Sequence, residues 1–145
     1  MKKHVGSSTF VSMVLDKEKP IVRGLNLGDS GYIIVRNKKV IFHTPVQQWR
    51  FNAPYQCGTN HKLPYNADKF EHKVEGGDLL IFASDGLWDN LDDNQIIKQI
   101  HICHGSGEQE HKMKKEGEVN ASYPHVDETL EMAKCIAHSA HFFSM

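Results

Sequence analysis

Leu79–Ser84 (LLIFAS) is an unbroken apolar run of strand length. Glu75-Gly76-Gly77-Asp78 marks a turn before it, and Asp85-Gly86 follows it. Such a run is consistent with a strand buried on both faces, and a buried strand needs partners. Candidate partners lie upstream. Ser8–Leu15 (STFVSMVL) is rich in β-branched and apolar residues. Ile21–Leu27 alternates Ile21, Arg23, Leu25 and Leu27 against Val22, Gly24 and Asn26. Tyr32–Val35 and Lys39–His43 flank Asn37-Lys38 and read as a hairpin. These four runs are expected to form an antiparallel meander. Phe70–Val74 reads as one more strand. Residues 45–69, which include Pro54, Gly58 and Pro64, read as a long irregular connection of the kind that often carries function.

The pattern then becomes helical. Asp92 suits an N-cap, with Gln95 three residues on completing a capping box. Ile96, Ile97, Ile100 and Cys103 follow at helical spacing, which predicts a helix over 93–104. Residues 105–122 are polar, charged and marked by glycines, and are expected to be a flexible insertion. A last helix is predicted over 126–143, with Val126, Leu130, Ala133, Ala137 and Ala140 on one stripe. Strands followed by helices imply an α+β fold rather than alternating βαβ units.

The chain of 145 residues is 39% hydrophobic and 24% charged, which fits a globular domain or a piece of one. A net charge of −1 leaves no basic field for nucleic acid or an anionic membrane. No apolar run approaches the roughly 20 residues that span a bilayer. Met1-Lys2-Lys3-His4 leads directly into strand-like sequence and does not read as a signal peptide. Cys57, Cys103 and Cys135 are odd in number and far apart, so a disulfide framework is not expected, and an intracellular, reducing setting is. His101, Cys103, His104 and His111 lack the paired cysteines of a structural zinc site, and the histidines read as solvent-facing. Trp49, Phe51 and Tyr55 have no basic groove beside them and are expected to pack rather than stack on bases.

The chemistry concentrates in Ala83-Ser84-Asp85-Gly86-Leu87-Trp88-Asp89-Asn90. A carboxylate at the end of a buried strand is held rigidly, which suits a metal ligand or a catalytic acid. Gly86 lets the backbone turn sharply. A tight turn over 86–90 would aim Asp85 and Asp89 at one site. Carboxylates without thiolates favour a hard cation, Mg2+ or Mn2+. The alternative is that Asp85-Gly86 only makes a turn and Asp89 only caps a helix. Asn26-Leu27-Gly28-Asp29-Ser30-Gly31-Tyr32 offers a second carboxylate, Asp29, with a β-bulge or plain turn as its alternative. Gly6-Ser7-Ser8-Thr9 supplies small side chains where the backbone must pass close to something.

Together these pieces resemble the type 2C protein phosphatases. Gly6–Thr9, Gly28–Ser30 and Ser84–Asp89 resemble three family motifs, in family order. Gln47-Gln48-Trp49-Arg50-Phe51-Asn52-Ala53-Pro54-Tyr55-Gln56 is similar to a segment of one branch, which includes organellar phosphatases of the mitochondrial kind. The resemblance implies a partial α-β-β-α sandwich, two antiparallel sheets face to face with flanking helices. It implies hydrolysis of phosphoserine and phosphothreonine in phosphoprotein substrates by water activated on Mg2+ or Mn2+. It makes Asp85 a ligand of the binuclear centre and sets Asp29, Asp85 and Asp89 around a further metal position. The sequence does not give the compartment; an intracellular one, mitochondrial or cytosolic, is the expectation.

The family's amino-terminal acidic strand, Asp-Gly motif and phosphate-binding Arg have no counterpart before Gly6. Its last metal-binding Asp has none before Met145. Residues 1–145 are therefore expected to be the carboxyl-terminal part of a phosphatase domain, with uncovered sheet edges and little or no activity alone. The competing expectation is a non-catalytic phosphatase-like binding module.

Overall fold

The computed structural model describes residues 5–16, 18–59, 66–114 and 125–144. Strands come first: β1 Ser7–Ser8, β2 Phe10–Leu15, β3 Ile21–Leu27, β4 Gly31–Arg36, β5 Lys39–His43, β6 Gln48–Arg50, β7 Ala53–Pro54, β8 Cys57–Gly58, β9 Asp68–Lys73 and β10 Leu79–Ala83. Helices follow: α1 Asp85–Trp88, α2 Asp93–Lys114 and α3 His125–Phe143. The α+β class is the one expected, and the longer strands nearly coincide with the predicted runs. The chain forms two compact units, Met1–Asp85 and Gly86–Met145.

The expected meander does not form. β2 pairs with β3 and β4 with β5, but β3 and β4 belong to different sheets. One sheet has the order β2-β3-β9 and the other β10-β4-β5, both antiparallel. The chain changes sheet in the Gly28–Ser30 turn, where Gly28 has φ 103°, a conformation that an L side chain disfavours. At the β4–β5 turn, Asn37 and Lys38 both have positive φ, as a two-residue hairpin requires.

A second correction concerns the strand buried on both faces. That strand is β4, whose Tyr32, Ile33, Ile34 and Val35 are all buried. β10 pairs only with β4 among the described strands, and its Phe82 is 44% exposed. An apolar run marks burial potential, and period alone does not rank two such runs.

The first unit's core lies between the two sheets. Val22 of β3 and Tyr32 and Ile34 of β4 form its centre, with Val11, Met13, Phe42, Phe70, Val74 and Leu80 packed around them. The Tyr32 ring fits because β3 carries glycine at position 24: a Cβ there would lie 2.8 Å from Tyr32 Cζ and collide with Oη. The phenol reaches across to β9, with Oη 3.0 Å from His72 Nε2. Burial pushes the Tyr32 pKa up to about 12 and lowers that of His72, so both groups are held neutral. The imidazole also packs on Phe42 at a centroid distance of 4.1 Å. At the far end of β4, Arg36 grips Asp78 through Nε and Nη2 at 2.8 and 2.7 Å and Glu75 through Nη1 at 2.7 Å. This fork ties the 75–78 turn to the sheet and holds the Asp78 carboxyl below its usual range.

In the second unit, α2 starts on the expected capping box. Gln95 N–H donates to Asp92 Oδ1, and Asp92 N–H donates to Gln95 Oε1, each at 2.8 Å. The helix does not stop at residue 104 but continues to Lys114, so residues 105–114 of the expected insertion are helical. Residues 115–122 lie outside the described residues. Gly105 and Gly107 read as breakers, yet no proline intervenes. Glu108/Lys112 and Glu110/Lys114 stand at i,i+4 spacing in the sequence, which favours helix.

Of the stripe predicted on α3, Ala140 is buried as expected, but the rest of the buried face differs. Ile136 and Ala140 are buried and Met132, Cys135 and Ser139 half-buried, whereas Leu130, Ala133 and Ala137 are exposed. The Val126 side chain lies outside the described residues. The observed stripe carries the bulkier Met132 and Ile136, and small alanines lose less by facing water. The cysteine expectation is overturned as well. Cys103 and Cys135 form a disulfide between α2 and α3 with Cα atoms 6.2 Å apart. Distance in sequence said nothing about distance in space, and the argument for a reducing compartment loses its support. Closing a loop of this length contributes about 3–4 kcal/mol in the chain-entropy description.

Two outcomes follow from the Tyr32 site. Gly24→Ala is expected to lower stability by about 1–3 kcal/mol through overpacking, and an unchanged urea midpoint would contradict the packing. Because folding depresses the His72 pKa, the unfolded chain binds its proton more readily. The stability from neutral His72 is complete above the unfolded value of about 6.5 and declines as pH falls through it. Urea midpoints measured from about pH 7 to 5 should fall more steeply for the native chain than for His72→Gln.

Candidate functional site

The β4–β10 ladder decides where the carboxylates stand. It pairs Phe82 with Tyr32 and Ala83 with Gly31 in antiparallel register. Asp85 lies two residues beyond Ala83, and Asp29 two residues before Gly31. Both therefore leave the sheet at the same end of the same strand pair. Asp29 is half-buried and Asp85 exposed. Asp85 opens α1, a single helical turn where a tight turn was expected. Asn90 N–H donates to Leu87 O at 3.1 Å and Asn90 Nδ2 to Gly86 O at 2.9 Å, which closes that turn. Asp89 follows α1, is exposed, and belongs to the second unit.

The Gly28–Ser30 turn is held from several sides. A Cβ on Gly28 would collide with Thr9 Cγ2 and lie 2.6 Å from Tyr55 O, so glycine is required for space as well as for φ. Ser30 and Thr9 share a hydroxyl hydrogen bond at 2.7 Å. Gln47 brackets the turn: Gly28 N–H donates to its Oε1 at 3.2 Å, and its own N–H donates to Gly28 O at 2.9 Å. Gln47 Nε2 then donates to Asn66 O at 3.2 Å, and Tyr55 N–H to Gln47 O at 3.0 Å. Asn26 is fully buried and sends Nδ2 toward Gly28 O at 3.4 Å, while its Oδ1 has no partner among the described residues. The roles of Thr9, Asn26 and Gln47 were not read from the sequence. Asn26 carried no signal, since in the sequence it lies opposite the more apolar phase Ile21, Leu25 and Leu27, and only the fold shows its own phase to be buried.

Gly6–Thr9 does pass close to another strand. β1 pairs with β8, and a Cβ on Gly58 would sit 2.6 Å from Ser7 Cα. Gly6 O accepts from Thr59 N–H at 3.1 Å. The Gln47–Gln56 segment forms the β6–β7 hairpin with Asn52 at φ 53°. Its aromatics do not pack as expected: Trp49, Phe51 and Tyr55 are 63%, 92% and 44% exposed. Instead, the Arg50 guanidinium lies 4.6 Å from the Trp49 ring centroid, a cation–π contact.

Asp29 and Asp85 are oxygen donors with no thiolate in their motifs, which matches the preference of a hard divalent cation. Their number falls short. Such ions take about six oxygens, and among the described residues no three His, Cys, Asp or Glu side chains gather to hold a metal ion. Any further ligands would be water or groups beyond Asp29 and Asp85.

No family profile matches the chain. It is 32% identical to the protein phosphatase PTC7 homolog of Danio rerio, over 94% of the chain and 43% of that protein. It is 42% identical to the probable protein phosphatase 2C 55 of Arabidopsis thaliana, over 65% of the chain and 20% of that protein. Among solved structures, the photosystem II phosphatase PBCP superposes with a TM-score of 0.73 at 26% identity, covering 95% of the chain and 46% of that structure. The chain therefore spans less than half the length of each of these proteins.

The turn that carries Asp29 can be tested directly. Gly28→Ala is expected to cost at least about 2 kcal/mol, combining a disfavoured φ with overpacking. Urea unfolding measures it, and a loss below a few tenths of a kcal/mol would mean that the turn tolerates a side chain.

Proposed function

The chain belongs to the type 2C family of metal-dependent protein phosphatases, and from that premise we propose that it serves the hydrolysis of phosphoserine and phosphothreonine in proteins, with Mg2+ or Mn2+. The observation that carries this reading is the β4–β10 register, which sets Asp29 and Asp85 at one end of a strand pair. Asp29 and Asp85 are the residues that would hold the ion. When bound, the ion supplies Lewis-acid charge and a water of lowered pKa. The chain's own part is to fix its donors: Gln47 and Thr9 hold the Asp29 turn, and the ladder into Ala83 holds the approach to Asp85. Asp89 adds negative charge four residues further along.

Two strand-end carboxylates do not complete a metal site, so the 145-residue chain alone is expected to lack activity. The same shortfall favours a second reading, a phosphatase-like module that binds phosphoproteins without turnover.

The 145-residue chain should hydrolyse an aryl phosphate at background rate whether or not Mn2+ is present. In a form extended to the length of its relatives, Mn2+-dependent hydrolysis should appear, and Asp85→Asn should lower it by on the order of 100-fold or more. Full activity in the short chain would contradict the ligand shortfall. An extended form that binds phosphoprotein without turnover would favour the second reading.

A further inference from the structure

The second unit holds a feature that the phosphatase reading does not use. Cys103 of α2 and Cys135 of α3, 32 residues apart in sequence, are bonded with Cα atoms 6.2 Å apart. Both are half-buried, so small thiols can reach them. Among the described side chains of α3 only Ile136 and Ala140 are buried, whereas Leu130, Phe142 and Phe143 are 52%, 69% and 55% exposed. The disulfide falls in the middle of that narrow stripe, with Cys135 adjoining Ile136. On α2, buried Ile96 lies about two turns before Cys103 on the same face. The remaining cysteine, Cys57, is free and lies in the first unit.

We infer that Cys103 and Cys135 form a reversible thiol–disulfide switch that fastens α3 to α2 when oxidised and releases α3 when reduced. The oxidant is a small disulfide, R–S–S–R. The thiolate of one cysteine attacks it, forming a mixed disulfide and expelling RS−. The thiolate of the other cysteine attacks the protein sulfur of that intermediate and expels the second RS−. One S–S bond forms in the protein and one is consumed in the oxidant. The two cysteine protons end on two RSH molecules. A dithiol reductant reverses the sequence. Reduction removes the covalent tie of α3, and elements with few buried side chains open locally at low free-energy cost. The inference is independent of any phosphatase activity.

The test equilibrates the whole chain in oxidised and then reduced glutathione. Differential alkylation with peptide mapping reads the cysteine pairing, and hydrogen exchange reads α3. Oxidised protein should show one pair, Cys103 with Cys135, and alkylated Cys57. Reduction should speed amide exchange over residues 128–143 by on the order of 100-fold, with β3 and β4 unchanged. Cys135→Ser should exchange fast in both states. A mixture of pairs that includes Cys57 would overturn the switch. So would thiols that stay free in oxidised glutathione, or α3 exchange that is equal in the two states.

Discussion

The first unit depends on one side chain meeting a missing one. Tyr32 projects from β4 into the space that a Cβ on Gly24 would fill, and its hydroxyl reaches His72 on β9. That single ring touches both sheets. It fixes the separation of β3 from β4 and the rotation of β4 about its own axis. A strand has period two, so turning β4 over would bring Ile33 and Val35 inward and send Tyr32 and Ile34 outward. Both alternate sets are apolar, so hydrophobicity alone does not choose between them. The Tyr32–Gly24 fit and the polar contact with His72 do.

The register chosen this way reaches the functional end of the sheet. Because Phe82 faces Tyr32 and Ala83 faces Gly31, the backbone on either side of the ladder ends level. Asp29 and Asp85 leave the sheet at the same end by consequence, although 56 positions separate them in the numbering. The turn that carries Asp29 is also the place where the chain passes from one sheet to the other, which explains its many restraints. Gly28 supplies the φ, Gln47 bonds to both sides of its peptide group, and Thr9 meets the Ser30 hydroxyl.

Much of this was legible in the sequence, and the misreadings share a cause. Period-two alternation in Ile21–Leu27 and the Asp92/Gln95 box are local signals, and both elements form where predicted. Pairing between elements is not local. Four consecutive strands look like a meander because neighbours in sequence usually pair, and only the fixed geometry at Gly28 diverts the chain. The stripe on α3 was misjudged because alanines matched the helical period while bulkier Met132 and Ile136 lay on the adjacent face. Cys103 and Cys135 were read as unpaired because a count and a spacing carry no three-dimensional distance. At the candidate site, Asp29 and Asp85 stood out because each sits beside glycine at the end of a strand-like run, although Asp-Gly pairs also make plain turns. Gln47 did not, since its role exists only once its partner Gly28 is folded beside it.

The shortage of metal ligands and the exposure of apolar strand residues have one geometric origin. β2 pairs only with β3, and β5 and β10 only with β4, among the described strands, so with β9 the two three-stranded sheets have four edges with one-sided pairing. Val14 and Leu15 on β2, Ile41 on β5 and Phe82 on β10 are 65%, 59%, 50% and 44% exposed. Unpaired edges and exposed apolar side chains invite further strands. Strands added beside β10 would end level with Ala83, because antiparallel neighbours share their ends. Residues just past those ends would stand beside Asp29 and Asp85. A strand added there would cover Phe82 at the same end of the sheet from which Asp29 and Asp85 leave it.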